Sequence, residues 1–152
     1  MAVNEASLRS ELSRDFQKEG AFVQTITQRF LAGTPDLLVC FEGGVWFLEL
    51  KFVSKAYRGS DEPMDLPAIN LSSLQRAWMR RFQKAGGLAG WVVGEPSPKG
   101  TRLYAGTLHL QERVTKQDFV MVKERGEPWS IRALFDILEA SMGPIRFERR
   151  SI

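Results

Sequence analysis

The stretch GTPDLLVCFEGGVWFLELK, residues 33–51, decides the fold of this chain. Its two apolar runs, 36–41 and 45–51, are typical of strands, and the Gly-Gly pair between them is a strong signal for a tight turn. The second run is apolar on both faces over most of its length, as in a strand that lies inside a sheet covered on both sides. We therefore expect a hairpin whose second strand lies at the centre of the molecule.

Three charged side chains stand at the end of this hairpin that lies away from the turn. Asp36 begins the first strand, and Glu49 and Lys51 end the second. Burying a carboxylate or an ammonium beside a core is costly unless the group is paired or bound to a metal. The three charges are therefore either solvated strand ends or side chains placed together for chemistry.

A turn with Gly43 and Gly44 as its two central residues places these charges on one face. Lys51 then lies opposite Asp36, and Glu49 becomes a diagonal neighbour of Asp36, with about 7–8 Å between the Cα atoms. A three-residue turn without a bulge would move Glu49 to the other face. In the first arrangement both carboxylates reach one hard divalent cation, which would activate a bound water that the lysine positions.

The rest of the chain predicts a mixed sheet with helices packed on it. Helices are predicted over 4–19, 71–85 and 130–142, and further strands over 21–27, 91–93, 101–110 and 119–123. Ser72 or Ser73 is suited to cap the second helix, and a Gly-Gly pair ends it. Residues 54–70 read as a long loop, and residues 95–100 as a Pro/Gly turn.

The composition narrows the class of protein. With 152 residues, 43% of them hydrophobic, the chain fits one compact domain, and its net charge of +3 permits an acidic partner such as nucleic acid. One cysteine and one histidine exclude a disulfide framework, a thiolate zinc site and a two-histidine metal motif within the chain. We see no signal peptide and no apolar run long enough to cross a membrane, and expect a cytoplasmic protein.

The motif Gly33-x-Pro35-Asp36, followed by Glu49-x-Lys51 on the next strand, resembles the PD-(D/E)XK nuclease superfamily. The resemblance is greatest to the VRR-NUC type, which occurs in stand-alone phage enzymes and in DNA-repair nucleases. It implies an α/β, restriction-endonuclease-like core with a central mixed β-sheet flanked by helices. It also implies a divalent metal held by the acidic pair and hydrolysis of DNA phosphodiesters.

The helix that follows strengthens this resemblance. In the VRR-NUC type the Glu-x-Lys strand is followed by a helix that opens with a pattern like L-S-x-x-Q, which stands here as LSSLQ at 71–75. The helix then runs into a Gly-Gly pair and an apolar strand, as in the family. The resemblance covers about residues 5–94.

The resemblance also implies roles for individual residues. Asp36 and Glu49 would hold the metal, with the backbone carbonyl of Leu50 as a further ligand. Lys51 would orient or activate the attacking water, and Gln75 would support Lys51 or the scissile phosphate. Magnesium is the expected ion, with manganese as its substitute.

A further acid is expected from the first helix, where Glu5, Glu11 and Asp15 compete. Three apolar residues at four-residue spacing mark the buried face of this helix. At 100° per residue, Glu5 lies closest to the centre of that face. We therefore expect Glu5 to assist the metal, directly or through water.

Basic residues outside these motifs are candidates for DNA contact. Arg76, Arg80 and Lys84 form a stripe at four-residue spacing on the second helix, which either contacts phosphates or is a solvated helix face. Lys55 and Arg58 lie in the long loop that follows the Glu-x-Lys strand. Acids in the same loop would repel a DNA backbone, which leaves the role of the loop open.

These features predict a single nuclease domain over 1–152, with a loop insertion at about 54–70 and a C-terminal extension at about 95–152. The expected activity is that of a metal-dependent DNA endonuclease that selects branched DNA. A symmetric homodimer would suit the two-fold symmetry of a Holliday junction. The alternatives are a flap, nicking or restriction-like nuclease, and a non-catalytic DNA-binding module that keeps the nuclease fold.

Overall fold

The computed structural model describes residues 4–27, 33–53, 63–65, 71–97, 100–107, 113–115, 120–124 and 128–142. The helices in these segments are α1 (Glu5–Lys18), α2 (Ser73–Lys84) and α3 (Ile131–Met142). The strands are β1 (Phe22–Thr25), β2 (Leu37–Phe41), β3 (Gly44–Phe52), β4 (Pro63–Asp65), β5 (Ala89–Ser97), β6 (Gly100–Gly106), β7 (Arg113–Thr115) and β8 (Val120–Glu124). No helix in these segments has the length and apolarity that crossing a bilayer requires.

Six strands form one mixed sheet in the order β1-β2-β3-β5-β6-β8. β3 and β5 run parallel and are connected through α2, whereas the other neighbours in the sheet are antiparallel. β3 lies between β2 and β5, as its two-sided apolar pattern predicts. The predicted α/β class, a central mixed sheet flanked by helices, is confirmed.

Helices cover both faces of this sheet. The even-numbered residues of β3, Trp46, Leu48 and Leu50, pack with α1 and α3 in one buried cluster. Phe47 belongs to a second cluster, which contains residues of α2 and β5. Because side chains alternate along a strand, Glu49 and Lys51 project from the face that α2 covers.

The β2–β3 turn lies one residue earlier than predicted. Phe41 pairs with Gly44, so the central residues are Glu42 and Gly43. Both have positive φ, 47° and 81°, as a type I′ turn requires. The ladder register consequently shifts by two residues, and an even shift leaves every side chain on its predicted face.

Two further predictions need correction. The predicted turn at 95–100 was too wide, because β5 continues to Ser97, which pairs with Gly100 of β6, so Glu95 to Ser97 belong to the strand. Pro96 is tolerated because it lies beyond Gly94, the last residue of β5 that pairs with β3. In the predicted loop 54–70, β4 pairs with β7, a partner about fifty residues away that a local pattern does not reveal; the rest of that loop lies outside the described residues.

The first turn of α2 is closed by a capping box. Of the two candidate serines, Ser72 is the cap, and its Oγ accepts the Gln75 backbone N–H at 3.1 Å. In return, Oε1 of Gln75 accepts the Ser72 backbone N–H at 2.9 Å. At the other end, Gly86 has a φ of 98° and ends the helix as predicted.

Candidate active site

Asp36 and Glu49 lie level with each other where the β2–β3 ladder ends, away from the turn. Leu37 is the first residue of β2 and pairs with Leu48, and Asp36 lies directly before it. Asp36 bonds to β3 at Leu48 and Leu50, on either side of Glu49, instead of pairing with Lys51 as predicted. Both project from the sheet face that α2 covers.

Both carboxylates are almost completely buried, Asp36 with 7% and Glu49 with 2% of the residue exposed. Solvated strand ends are therefore excluded as an explanation. Oδ2 of Asp36 accepts the backbone N–H of Leu50 at 2.9 Å, and the backbone N–H of Asp36 donates to the carbonyl of Leu48 at 3.0 Å. Because the N–H and C=O of one strand residue point to the same side of the strand, the Leu50 carbonyl points to the side of β3 on which Asp36 lies.

Gln75 reaches this pair from the first turn of α2. Its Nε2 donates a hydrogen bond to Oε1 of Glu49 at 2.5 Å. Its Oε1 is already committed to the Ser72 backbone N–H, so the capping box fixes which end of the amide faces Glu49. One side chain thus starts the helix and holds the carboxylate.

Lys51 completes a continuous row of polar groups. Its Nζ lies 3.6 Å from the same Oε1 of Glu49, and its side chain is 15% exposed. Strand alternation carries both residues to the same side of β3. The site therefore presents an amide, a carboxylate and an ammonium in sequence, with a second carboxylate opposite.

The oxygen atoms of this site fit a hard divalent cation. Mg²⁺ prefers oxygen ligands, uses one or two carboxylates and keeps several waters. Asp36, Glu49 and the Leu50 carbonyl supply such a set. Within the segments that the structure describes, no cluster of three or more Asp, Glu, His or Cys side chains is arranged to hold a metal. Among the described groups beside the two acids, the Leu50 carbonyl and bound water are the further ligands available to an ion at this site.

The prediction for α1 is wrong about which acids face inward. Glu5 is exposed, whereas Glu11 and Asp15 are buried. Oδ2 of Asp15 accepts the backbone N–H of Trp129 at 2.9 Å. The segment before α3 therefore packs against a side of α1 that lies outside the stripe of apolar residues on this helix. Among the described residues, Glu5 does not form a possible metal-binding group with Asp36 and Glu49. Its role as a metal ligand stays a prediction.

The basic candidates on α2 differ in their exposure. On α2, Arg76 is half-buried, and Arg80 and Lys84 are exposed. Lys55 and Arg58 lie outside the described residues. DNA contact by these five residues stays a prediction.

A buried polar cluster on the α2 face was missed by the sequence analysis. Glu95 is 0% exposed, and its Oε1 accepts a hydrogen bond from the Tyr104 hydroxyl at 2.5 Å. Nη1 of Arg102 lies 3.3 Å from the same oxygen and donates to the Tyr104 hydroxyl at 3.4 Å. Burial, together with the bond to Glu95, raises the pKa of Tyr104 to about 12. A turn over 95–100 does not bring Glu95 and Arg102 together, whereas the β5–β6 ladder pairs them, so the prediction of a turn there did not reveal this cluster.

A cavity of about 600 Å³ lies at the opposite end of the sheet, beside the β2–β3 turn. It contains an ion pair between Glu42 and Arg132, whose closest atoms are 2.5 Å apart. Its lining includes Phe135 and the glycines after α2 but neither Asp36 nor Glu49. The cavity is therefore separate from the candidate active site.

Replacing Gln75 by Ala tests how the carboxylate is held. We expect cleavage of DNA to fall by about 10- to 100-fold, the usual effect of losing a group that orients a metal ligand. Ser72→Ala is the control, because losing the cap costs about 1 kcal/mol of helix stability but keeps the bond from Gln75 to Glu49. Cleavage rates and thermal unfolding should be measured for both. Equal rates in the two variants would contradict a positioning role for Gln75.

No family model matches this chain, and no curated protein sequence matches it. Several solved structures are similar to it. A VRR_NUC domain shares 25% identity over 62% of this chain and 87% of that domain, with a TM-score of 0.44. Hjc, a Holliday junction resolvase from the archaeal hyperthermophile Archaeoglobus fulgidus, shares 15% identity over 78% of this chain and 88% of its own, with a TM-score of 0.47. A bacterial homing endonuclease shares 10% identity over 95% of this chain and 96% of its own, with a TM-score of 0.44.

The sequence motifs occupy the elements that the resemblance implies. Asp36 precedes β2, Glu49 and Lys51 lie on the central strand, and Gln75 opens the helix that crosses over to the parallel strand β5. The side chains of these four residues converge on one face of the sheet. The placement of these motifs on a mixed sheet flanked by helices therefore agrees with the fold that the sequence resemblance implies.

Proposed function

We propose that this chain is a metal-dependent DNA endonuclease whose reaction centre consists of Asp36, Glu49, Lys51 and Gln75. One observation supports the proposal: two nearly buried carboxylates lie next to each other at the end of the β2–β3 hairpin, and one of them contacts both an amide and an ammonium. Burying these charges costs folding free energy that apolar residues of similar size would not. The binding of a cation and a phosphate at this site would explain why the charges are buried despite this cost.

Asp36, Glu49 and the Leu50 carbonyl are the groups that would hold the cation. When bound, Mg²⁺, or Mn²⁺ in its place, supplies a water of lowered pKa and stabilises negative charge on a phosphate oxygen. The burial of both carboxylates limits competition from bulk water and strengthens their interaction with charge.

Lys51 and Gln75 supply the remaining functions. The ammonium of Lys51 orients the attacking water and offsets the negative charge that develops around phosphorus. Gln75 holds the carboxylate of Glu49 in one orientation from a rigid helix end. The water oxygen forms a bond to phosphorus and gives up a proton to solvent, the bond from phosphorus to the 3′ oxygen of the leaving sugar breaks, and that oxygen takes up a proton from solvent. By analogy with the family, the products carry 5′-phosphates.

The finer parts of the proposal come from the sequence and its resemblance to the family. They are a preference for branched DNA such as a Holliday junction, a homodimeric active form and a cytoplasmic location. They also include one nuclease domain over 1–152 with additions at about 54–70 and 95–152. A two-fold symmetric dimer would place two reaction centres on two strands of a four-way junction.

A cleavage panel tests the activity. Labelled four-way junction, flap, splayed-arm, nicked and linear duplex DNA are incubated with Mg²⁺, Mn²⁺ or EDTA. We expect cutting only with a metal, preference for the four-way junction, and paired symmetric cuts in it. Asp36→Ala should be inactive, whereas Asp136→Ala, which removes an exposed acid on α3, should cut like the wild type.

The outcomes separate the parts of the proposal. Preference for a flap, a nick or a linear duplex would contradict the selectivity but keep the chemistry. Failure to cut any substrate with either metal would contradict the nuclease activity and favour a non-catalytic DNA-binding module. Cutting by Asp36→Ala at the wild-type rate would contradict the assigned reaction centre.

A further inference from the structure

Arg102 lies on the same sheet face as the reaction centre. Lys51 pairs with Val93, and Val93 pairs with Tyr104, so Tyr104 is level with Lys51 one strand beyond β5. Arg102 is two residues further along β6. With strands 4.7–4.9 Å apart and about 3.4 Å per residue, its Cα atom lies about 12 Å from that of Lys51.

α2 runs away from this end of the sheet. Gln75 in its first turn contacts Glu49, whereas Phe82 near its end packs against Phe47, with 5.1 Å between the ring centroids. The helix therefore extends from the acids towards the β2–β3 turn. Lys51 and Arg102 lie on the other side of its first turn, where the positive end of the helix dipole also favours anions.

The cluster around Arg102 is buried at one end and open at the other. Glu95 is 0% exposed, whereas the side chain of Arg102 is 36% exposed. The contacts of its guanidinium with Glu95 and Tyr104 are made by Nη1, at 3.3 and 3.4 Å. An arginine carries five N–H donors, so further donors remain for a ligand at the surface.

Such an arrangement suits phosphate recognition better than it suits stability. A buried ion pair is commonly no more stabilising than apolar residues of the same volume. An arginine held by a buried carboxylate instead has a fixed orientation, and its planar fork matches the oxygens of a phosphate. The partly exposed side chain of Arg102, on the same sheet face as Lys51, meets the second requirement, which is access to the substrate of the neighbouring centre.

We propose that Arg102, held by Glu95 and Tyr104, binds a backbone phosphate of the DNA near the scissile one. DNA phosphates repeat every 3.4 Å of helix axis along one strand, so about 12 Å places this phosphate within about four nucleotides. The inference rests on the proposed function, because it concerns the substrate of that centre. It assigns to β6 a binding residue that the PD-(D/E)XK motifs do not contain.

The test measures the affinity for four-way junction DNA in EDTA over a range of salt concentrations, and KM and kcat with Mg²⁺. For Arg102→Gln we expect about tenfold weaker binding, a KM raised by a similar factor and kcat within twofold of the wild type. The slope of log affinity against log salt should fall by about one phosphate contact. Arg102→Lys should restore most of the slope, because the cation is kept.

Two controls separate binding from folding. Arg132→Gln breaks an exposed ion pair at the other end of the sheet and should leave the salt slope unchanged. The double variant Glu95→Gln/Arg102→Gln leaves no unpaired buried carboxylate, and thermal unfolding checks that it folds. If this folded double variant keeps the wild-type KM and salt slope, the inference is overturned and the nuclease proposal stands. If the wild type cuts no DNA, the nuclease proposal fails, and the salt slope in EDTA still decides the role of Arg102.

Discussion

Glu49→Gln is expected to lower the cleavage rate about a thousandfold while the fold stays intact. The amide keeps the shape of the side chain, and its oxygen still accepts the hydrogen bond that Gln75 donates. The change removes the negative charge that would hold the cation and pair with Lys51. A catalytic metal contributes several kcal/mol to the transition state, and losing about 4 kcal/mol corresponds to about a thousandfold in rate.

Single-turnover cleavage with saturating Mg²⁺ measures this effect, and circular dichroism and thermal unfolding report on the fold. Glu42→Gln is the matched control, because it makes the same substitution at an exposed position in the turn of the same strand pair. We expect the control to cut within twofold of the wild type. A wild-type rate for Glu49→Gln would show that the buried acid serves the fold and not the reaction.

The face shared by the acids was predictable from the sequence, but the register was not. Any two-residue turn near the Gly-Gly pair leaves the same alternation of side chains, so the prediction survived an error in the turn. The Gly43-Gly44 pair suggested that both glycines are central, yet the residue that takes a φ of 47° is Glu42. Non-glycine residues adopt this region only uncommonly, and tertiary contacts decide where they do so.

Sequence periodicity did not predict which acids of α1 are buried. A helical wheel treats the helix as if it had a single partner, and it places Glu5 nearest to the core. Asp15 is buried because a backbone N–H 114 residues later in the chain donates to it, and no local pattern encodes that contact. Glu95 was missed for the related reason that its burial depends on the β5–β6 ladder.

For Gln75, the sequence predicted the position of the residue but not how its side chain combines two roles. Its place in the L-S-x-x-Q pattern predicted that it lies beside the active site, and the spacing from Ser72 is that of a capping box. Only the structure shows that the two roles use opposite ends of one amide. The start of α2 and the orientation of Glu49 are therefore mechanically coupled.

Gly33→Ala is expected to disturb this coupling and lower cleavage about a hundredfold, the effect of a misplacement of about 1 Å in an active site. Gly33 has a φ of 88°, and a Cβ atom there would lie 2.3 Å from the carbonyl oxygen of Leu74 and 2.9 Å from the backbone nitrogen of Gln75. Both are backbone atoms of the first turn of α2, so no side-chain rotation relieves the clash. The helix start has to shift, and Gln75 moves away from Glu49 with it.

Gly20→Ala separates this displacement from backbone strain. Gly20 has a nearly equal φ of 94°, but no atom lies within 4 Å of the position of its Cβ. An alanine there costs about 1–2 kcal/mol of backbone strain and leaves the reaction centre untouched. Cleavage rates, corrected for the folded fraction from thermal unfolding, should therefore fall only in Gly33→Ala. Equal rates in the two variants would contradict the coupling, because strain at a left-handed glycine would then account for both, and the contact between Gly33 and α2 would have no part in holding Glu49.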